Sequence, residues 1–235
     1  MSASEDNDAG RLAVASAAEG PGTEQFDFRT ALTGRDDGQS FVSFPSGHLI
    51  YSQTDPADAA FYVESGHVKI AAVTPSGKEA VVAIRRPGEF FGTRGLVGKR
   101  TGFAAALTAC SLIRITMPAL IRLFRANPDF AVAFTTHLVN QSVRDQSNIV
   151  DYLTNSAEKR LARLLLQLAD CADDNESPSP ISAPLNQSIL ANMVGTTRSR
   201  VSYFMNDFRR RGLIEYDRQG RVRVHSSLRK AVLEA

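Results

Sequence analysis

The side chains best suited to chemistry lie between Gln187 and Arg211, in the stretch QSILANMVGTTRSRVSYFMNDFRRR. Arg198 and Arg200 open a predicted helix there, and Arg209, Arg210 and Arg211 close it. Guanidinium groups are permanent cations with forked donors, so they suit phosphates and base edges rather than proton transfer. Val201, Phe204, Met205 and Phe208 recur at the spacing of one buried helix face, and Arg198, Ser199, Arg200 and Tyr203 point away from it. The chemistry on offer is electrostatic capture of a phosphate-lined groove. The plainer alternative is a helical hairpin with a solvated basic face.

A basic helix needs a mount. Asn186 can cap a first helix ending near Val194, and Gly195 supplies a turn position where positive φ carries no Cβ penalty. Thr197 can then accept from the open N–H groups of the second helix. Ala191, Gly195 and Val201 provide the small residue, turn glycine and buried aliphatic of a helix-turn-helix. Leu213–Tyr216, the turn at Arg218-Gln219-Gly220, and Val222–His225 read as a β-wing, with Arg218, Arg221 and Arg223 available to phosphates.

Composition narrows the classes further. The 235 residues carry a formal charge of only +2, but Pro184–Ala235 holds ten Lys/Arg against four Asp/Glu. The first 25 residues hold five acids and one Arg. The polyanion-binding part is therefore C-terminal. Two separated cysteines, Cys110 and Cys171, supply no disulfide framework, zinc site or iron–sulfur cluster, and fit a reducing cytoplasm. No apolar run is long enough for a membrane span, and no signal-peptide core precedes the chain's first element. His48, His67, His137 and His225 are scattered, which argues against haem ligation and a metal-dependent β-barrel enzyme.

Four segments are expected. Residues 1–25 lack a buriable period and read as a disordered acidic tail. Residues 26–118 alternate short apolar runs with turn residues, predicting an antiparallel β domain. Its strands are expected at Leu49–Tyr51, Ala60–Val63, His67–Val73, Glu79–Ile84 and Ala104–Ile115, with a hairpin tip at Pro75–Lys78. Residues 119–154 hold a short helix and a rod of about 40 Å from Asn127-Pro128. The rod's apolar line, Phe130, Phe134, Leu138, Ile149 and Tyr152, predicts a two-fold partner helix; the alternative lays the rod along its own domain. In residues 155–235 an Asn155/Glu158 capping pair starts a helix faced by Leu161, Leu164, Leu165 and Leu168. Residues 172–184 read as a surface loop before the helix-turn-helix.

This order of elements resembles the catabolite-activator/fumarate–nitrate-regulator (CRP/FNR) family of bacterial transcription factors. The most specific residues are Arg85-Arg86-Pro87-Gly88-Glu89-Phe90-Phe91-Gly92, Asn127-Pro128 and Gly195-Thr-Thr-Arg-Ser-Arg-Val. The resemblance spans residues 26–230 and implies an α+β chain: a β jelly-roll sensor of the cyclic-nucleotide-binding kind, a long dimerisation helix and a C-terminal winged helix-turn-helix. It further implies a homodimer on a pseudo-palindromic site of double-stranded DNA, with the second helix of each helix-turn-helix in the major groove. Arg198, Ser199 and Tyr203 would face base edges. Thr197, Arg200 and Arg209 would hold or flank the backbone, and RNA polymerase would be a partner of an activator.

The resemblance also places an effector site at Gly92, Thr93, Arg100 and Thr101, closed by Asp145 and Gln146 of the long helix. Thr93 stands where cyclic-AMP-binding members carry a ribose-holding glutamate. Losing that charge-assisted contact costs about 1.5–3 kcal/mol, so cyclic AMP is not expected as a tight effector. Arg94, Lys99 and Arg100 would suit another anion, a different cyclic nucleotide among them; the alternative is a run of solvated loop charges. The expectation is a non-enzymatic cytoplasmic regulator, either controlled by such a ligand or constitutive. Its rival is a small-ligand-binding protein or enzyme whose winged helix docks another protein.

Overall fold

The computed structural model describes residues 26–33, 38–73, 77, 79–93, 98–169, 178–181 and 186–233, apart from the side chains of residues 148, 151 and 152. The tail at 1–25, most of the hairpin tip at Pro75–Lys78, Arg94, Cys171 and the side chain of Tyr152 lie outside the described residues.

A short helix α1 (Phe28–Leu32), capped by Asp27, precedes the strands of the β domain. These are β1 (Gln39–Phe44), β2 (Leu49–Tyr51), β3 (Ala59–Ser65), β4 (Val68–Val73), β5 (Glu79–Arg85), β6 (Phe90–Phe91), β7 (Phe103–Ala106) and β8 (Cys110–Thr116). They form two four-stranded antiparallel sheets, β1-β8-β3-β6 and β2-β7-β4-β5. Two sheets of this kind make a jelly roll, as the resemblance implied.

The strand expected at Ala104–Ile115 is two strands in different sheets. Leu107–Ala109 carries the chain from one to the other, and backbone bonds from Leu107 and Thr108 to the carbonyl of His67 fix the crossing. An apolar run without turn residues concealed that break. β1, β6 and α1 were not anticipated, because β1 alternates polar and apolar residues weakly and β6 is only Phe90-Phe91.

Period-two geometry explains the apolar run of β3. Ala59, Phe61 and Val63 face the space between the sheets with Phe91, Ala104 and Leu112. Ala60 and Tyr62 face outward, where they meet Phe90, Ile113, Ile115 and the helices. Phe90 and Phe91 likewise point to opposite sides of one sheet.

Helix α2 (Met117–Ala126) starts on a Thr116 cap, and α3 (Pro128–Thr154) follows, its first turn held by the Asn127 side chain accepting from the N–H of Phe130 (2.9 Å). The structure corrects the expected dimer seam at two positions. Phe130 and Phe134 are 0% and 1% exposed in the chain's own core, stacked on each other with Phe124 tilted against both and Phe90 edge-on to Phe134. Leu138 packs against the same cluster, while Ile149 is 60% exposed. The first turns of α3 thus lie along their own domain, because α1 and β6 supply aromatic partners there.

Helix α4 (Ala157–Leu168) is capped by Ser156, whose hydroxyl accepts from the N–H of Lys159 (3.3 Å), rather than by Asn155. Its buried face is Leu161, Ala162, Leu165 and Leu166, with Leu164 and Leu168 half-buried beside it. Strand β9 (Ser179–Pro180), within the stretch read as a surface loop, pairs with the wing. Helices α5 (Gln187–Val194) and α6 (Arg198–Arg210) precede β10 (Ile214–Tyr216), β11 (Val222–Val224) and a π-helical turn, Arg229–Leu233. Among the described residues no helix is long and apolar enough to cross a membrane.

Candidate nucleic-acid interface and sensor cavity

The helix-turn-helix forms through local bonds that its sequence prescribes. Asn186 Oδ1 accepts from the N–H of Ile189 (2.9 Å), capping α5. Gly195 ends it in the left-handed region at φ 68°, and the N–H of Thr196 closes the turn on Ala191 O. Thr197 Oγ1 accepts from the N–H of Arg200 (3.3 Å), so α6 starts at Arg198. Val201, Phe204, Met205 and Phe208 bury the inner face against Leu190, Ala191, Leu161 and Leu165. From the hinge, Arg160 donates to the carbonyls of Val194 (3.0 Å) and Asn155 (2.7 Å), tying the α3–α4 junction to the end of α5.

The outer face of α6 presents Arg198, Ser199, Arg200 and Tyr203, the last 66% exposed. Arg200 leans over the ring of Phe204, 5.9 Å from its centroid. Of the closing arginines, Arg210 bonds to Asp207 (2.6 Å) and Arg211 reaches Asp207 and Glu158. The hydrogen bond from Arg210 holds the Asp207 carboxyl below the usual carboxylate range. Arg209 and Arg218 remain exposed on the helix and the wing tip. Arg221 is turned into the tip, donating to Asp217 (2.7 Å), and Arg223 donates to Pro178 O (2.9 Å). Sequence reasoning missed these carboxylate tethers, although Asp207 at i, i+3 and i, i+4 to the arginines signalled one of them.

A cavity of about 160 Å³ opens in the β domain beside α3. It gathers Gly92, Thr93, Arg100, Thr101 and Asp145, five of the six expected effector residues. Gln146 is exposed and does not line it; Gln141, one turn earlier, does. Helical rotation explains the exchange, since Gln141 and Asp145 share a face that Gln146 leaves. Sequence reading also missed Tyr51, Phe91 and Arg85 in the wall.

Arg100 is 6% exposed. Its Nη1 and Nη2 donate to Gly92 O (3.0 Å) and Ala59 O (2.9 Å), and its guanidinium lies 3.9 Å from the centroid of Tyr51. Gly92 has φ 72°, and a Cβ there would stand 2.7 Å from Arg100 Nη1, so the close approach requires glycine. Arg100 Nε is buried without a partner. A cation with one open buried donor can take an anion or a neutral acceptor.

Polar contacts join the cavity's surroundings to α3. His137 Nε2 accepts from the N–H of Phe90 (3.4 Å), Arg144 stands 3.6 Å from Glu89, and Arg85 stands 3.8 Å from Asp145. Burial lowers the pKa of Arg85, opposed by Glu89 and Asp145.

Comparison with known proteins matches both parts of the chain to known domains. Residues 41–127 match the cyclic nucleotide-binding domain, and residues 159–229 match the Crp-like helix-turn-helix domain. A CRP-like cAMP-activated global transcriptional regulator from Mycobacterium tuberculosis is 28% identical over 179 residues, 75% of this chain and 80% of that protein. A CRP/FNR-family transcriptional regulator from Thermus thermophilus is 27% identical, with a TM-score of 0.64 over 83% of this chain and 99% of that one. FixK2 from Bradyrhizobium japonicum, at 17% identity, shares the fold with a TM-score of 0.73 over 84% and 98% of the two chains.

Proposed function

Since the chain belongs to the CRP/FNR family of transcriptional regulators, we propose that it acts as a homodimer that reads a two-fold DNA site through α6, under the control of an anionic nucleotide in the β domain. The observation that carries the reading is α6 itself: a capped helix with a fully buried inner face and an outer face of Arg198, Ser199, Arg200 and Tyr203. Arg198, Ser199 and Tyr203 read base edges, while Thr197, Arg200, Arg209 and Arg218 meet the backbone. Arg221 joins them only when it leaves Asp217. The protein performs no catalysis, works in the cytoplasm and, where it activates, meets RNA polymerase.

The seam lies on the outer side of α3. Val132, Val139, Val143, Val150 and Leu153 are all exposed, at successive spacings that fit a heptad stripe. Gln146 fills the place between Val143 and Val150. A second copy of α3 covers this stripe and sets the two α6 helices on one DNA face. The effector reading rests on the cavity beneath the same helix, with Arg100 in its wall and Arg100 Nε buried without a partner. The cAMP-activated relative from M. tuberculosis supports a nucleotide, and Thr93 supports one other than cyclic AMP.

The test is selection of binding sites from a randomised duplex pool, followed by salt titration of the selected site. A two-fold site is expected, with affinity falling about 10³–10⁵-fold between 50 and 200 mM salt if six to ten phosphates are contacted. Arg198→Ala should reduce preference for that site over random DNA by about 1–3 kcal/mol. Salt-independent binding would return the winged helix to a protein-docking role, and equal loss on both DNAs would remove Arg198 from base reading.

A further inference from the structure

The cavity wall holds a charge pair that a simple anion site does not need. Arg85, on β5, and Asp145, on α3, both line the cavity, with Nη2 and Oδ2 3.8 Å apart. At that distance the charges attract without a hydrogen bond between these two atoms. Arg85 is 11% exposed and Asp145 45%, so the carboxylate stands at the more open end of the pair. Gln141 lies on the same helix face, and Tyr51 and Phe91 supply flat apolar surface nearby.

We propose that Arg85 and Asp145 together select a guanine base, making the cavity specific for a guanine nucleotide over an adenine one. This deepens the effector reading above and rests on it. Guanine sets the acceptors O6 and N7 beside the donors N1–H and N2–H₂. A guanidinium matches the two acceptors, the commonest specific contact to that base. A carboxylate takes N1–H and N2–H₂ as two parallel charge-assisted bonds. Adenine turns one donor, N6–H₂, and the bare N1 acceptor to the same groups, so the second carboxylate oxygen meets a lone pair instead of a proton. The phosphate falls to the loop that carries Arg100 and Thr101, where Arg100 Nε is buried without a partner and Gly92 lets the Arg100 guanidinium close on the backbone. Entry of the base draws Arg85 and Asp145 onto the ligand, which links β5 to α3 through the bound molecule.

The experiment is isothermal titration of the full chain with cyclic GMP and with cyclic AMP, for the wild type and for Asp145→Asn, with ligand-free melting of both proteins as the folding control. Cyclic GMP is expected to bind about tenfold or more tightly than cyclic AMP, the step one good bidentate pair supplies. Asp145→Asn should remove most of that preference by weakening cyclic GMP alone, at an unchanged melting temperature. Equal affinities in the wild type, or equal losses for both nucleotides in the variant, overturn the guanine assignment and leave the nucleotide site standing. Absence of binding by either nucleotide at millimolar concentration overturns the site as well, while the DNA-binding reading keeps its own test.

Discussion

Burial holds the His137 imidazole below its ordinary value of 6.5, with Arg144 and Arg85 adding to the effect and Glu89 opposing it. The rings of Phe28 and Phe90 close over it edge-on. Its Nε2 accepts from the N–H of Phe90, so the fold requires the neutral ring with its proton on Nδ1. The sign of the linkage follows. Above 6.5 both folded and unfolded chains are neutral at this site, and below it the unfolded chain takes the proton first. Stability is therefore complete near neutrality and declines as pH falls through 6.5. His67 shifts in the same direction for the same first cause, burial, and adds to the slope. His137→Gln keeps a carbonyl acceptor for Phe90 and removes the titration. Its melting temperature should fall less than the wild type's between about pH 7.5 and 5.5; an equal fall would assign the whole slope elsewhere. Asp207 and Asp217 are shifted downward as well, each chiefly by a hydrogen bond from an arginine, so their losses begin only below the ordinary carboxylate value of 3.8.

Helix α3 has two apolar stripes, and only their burial tells them apart. Phe130 and Phe134 belong to the aromatic cluster under α1 and β6, whereas Val143 and Val150 stand exposed on the far side. Val143→Glu or Val150→Glu should yield a monomer by light scattering that still melts cooperatively. Phe134→Ala should instead cost about 3–5 kcal/mol of stability through the lost aromatic and its cavity. A folded Phe134→Ala monomer, or dimers from both valine variants, would reverse the assignment. The succession of β domain, long helix and winged helix-turn-helix was legible in the sequence, as were the caps at Asn186 and Thr197 and the turn at Gly195, which rest on local bonding rules. The inner face of α6 was legible for the same reason, since four large apolar residues recur at helical spacing. The side of α3 was not, since its aromatic partners come from α1 and β6, two elements too short to announce themselves. At the cavity, Gly92, Arg100, Thr101 and Asp145 were reached through family resemblance. Arg85, Tyr51 and Gln141 were missed because strand pairing and helix rotation, which no local pattern encodes, bring them there.

The β domain and the winged helix also touch directly. The crossing between β7 and β8 holds Leu107 in place through its N–H on His67 O (2.8 Å) and its carbonyl accepting from Ser46 Oγ (3.0 Å). Its side chain packs against the hydrophobic core of the winged domain, and α5 runs beside β5, the strand that carries Arg85. On the proposed effector reading, a nucleotide that moved β5 would act on α5 within one chain, in addition to any effect through α3. Burying part of a leucine contributes about 1 kcal/mol or more, and a carboxylate at that place replaces the gain with a desolvation cost. Leu107→Asp should uncouple the two parts: differential scanning calorimetry should resolve a winged-domain transition below that of the β domain. The wild type should melt as one transition, because each part stabilises the other across this contact. If the variant keeps a single transition at the wild-type temperature, the contact carries no coupling, and the signal from the cavity runs to α6 through α3 and the Arg160 bonds at the hinge alone.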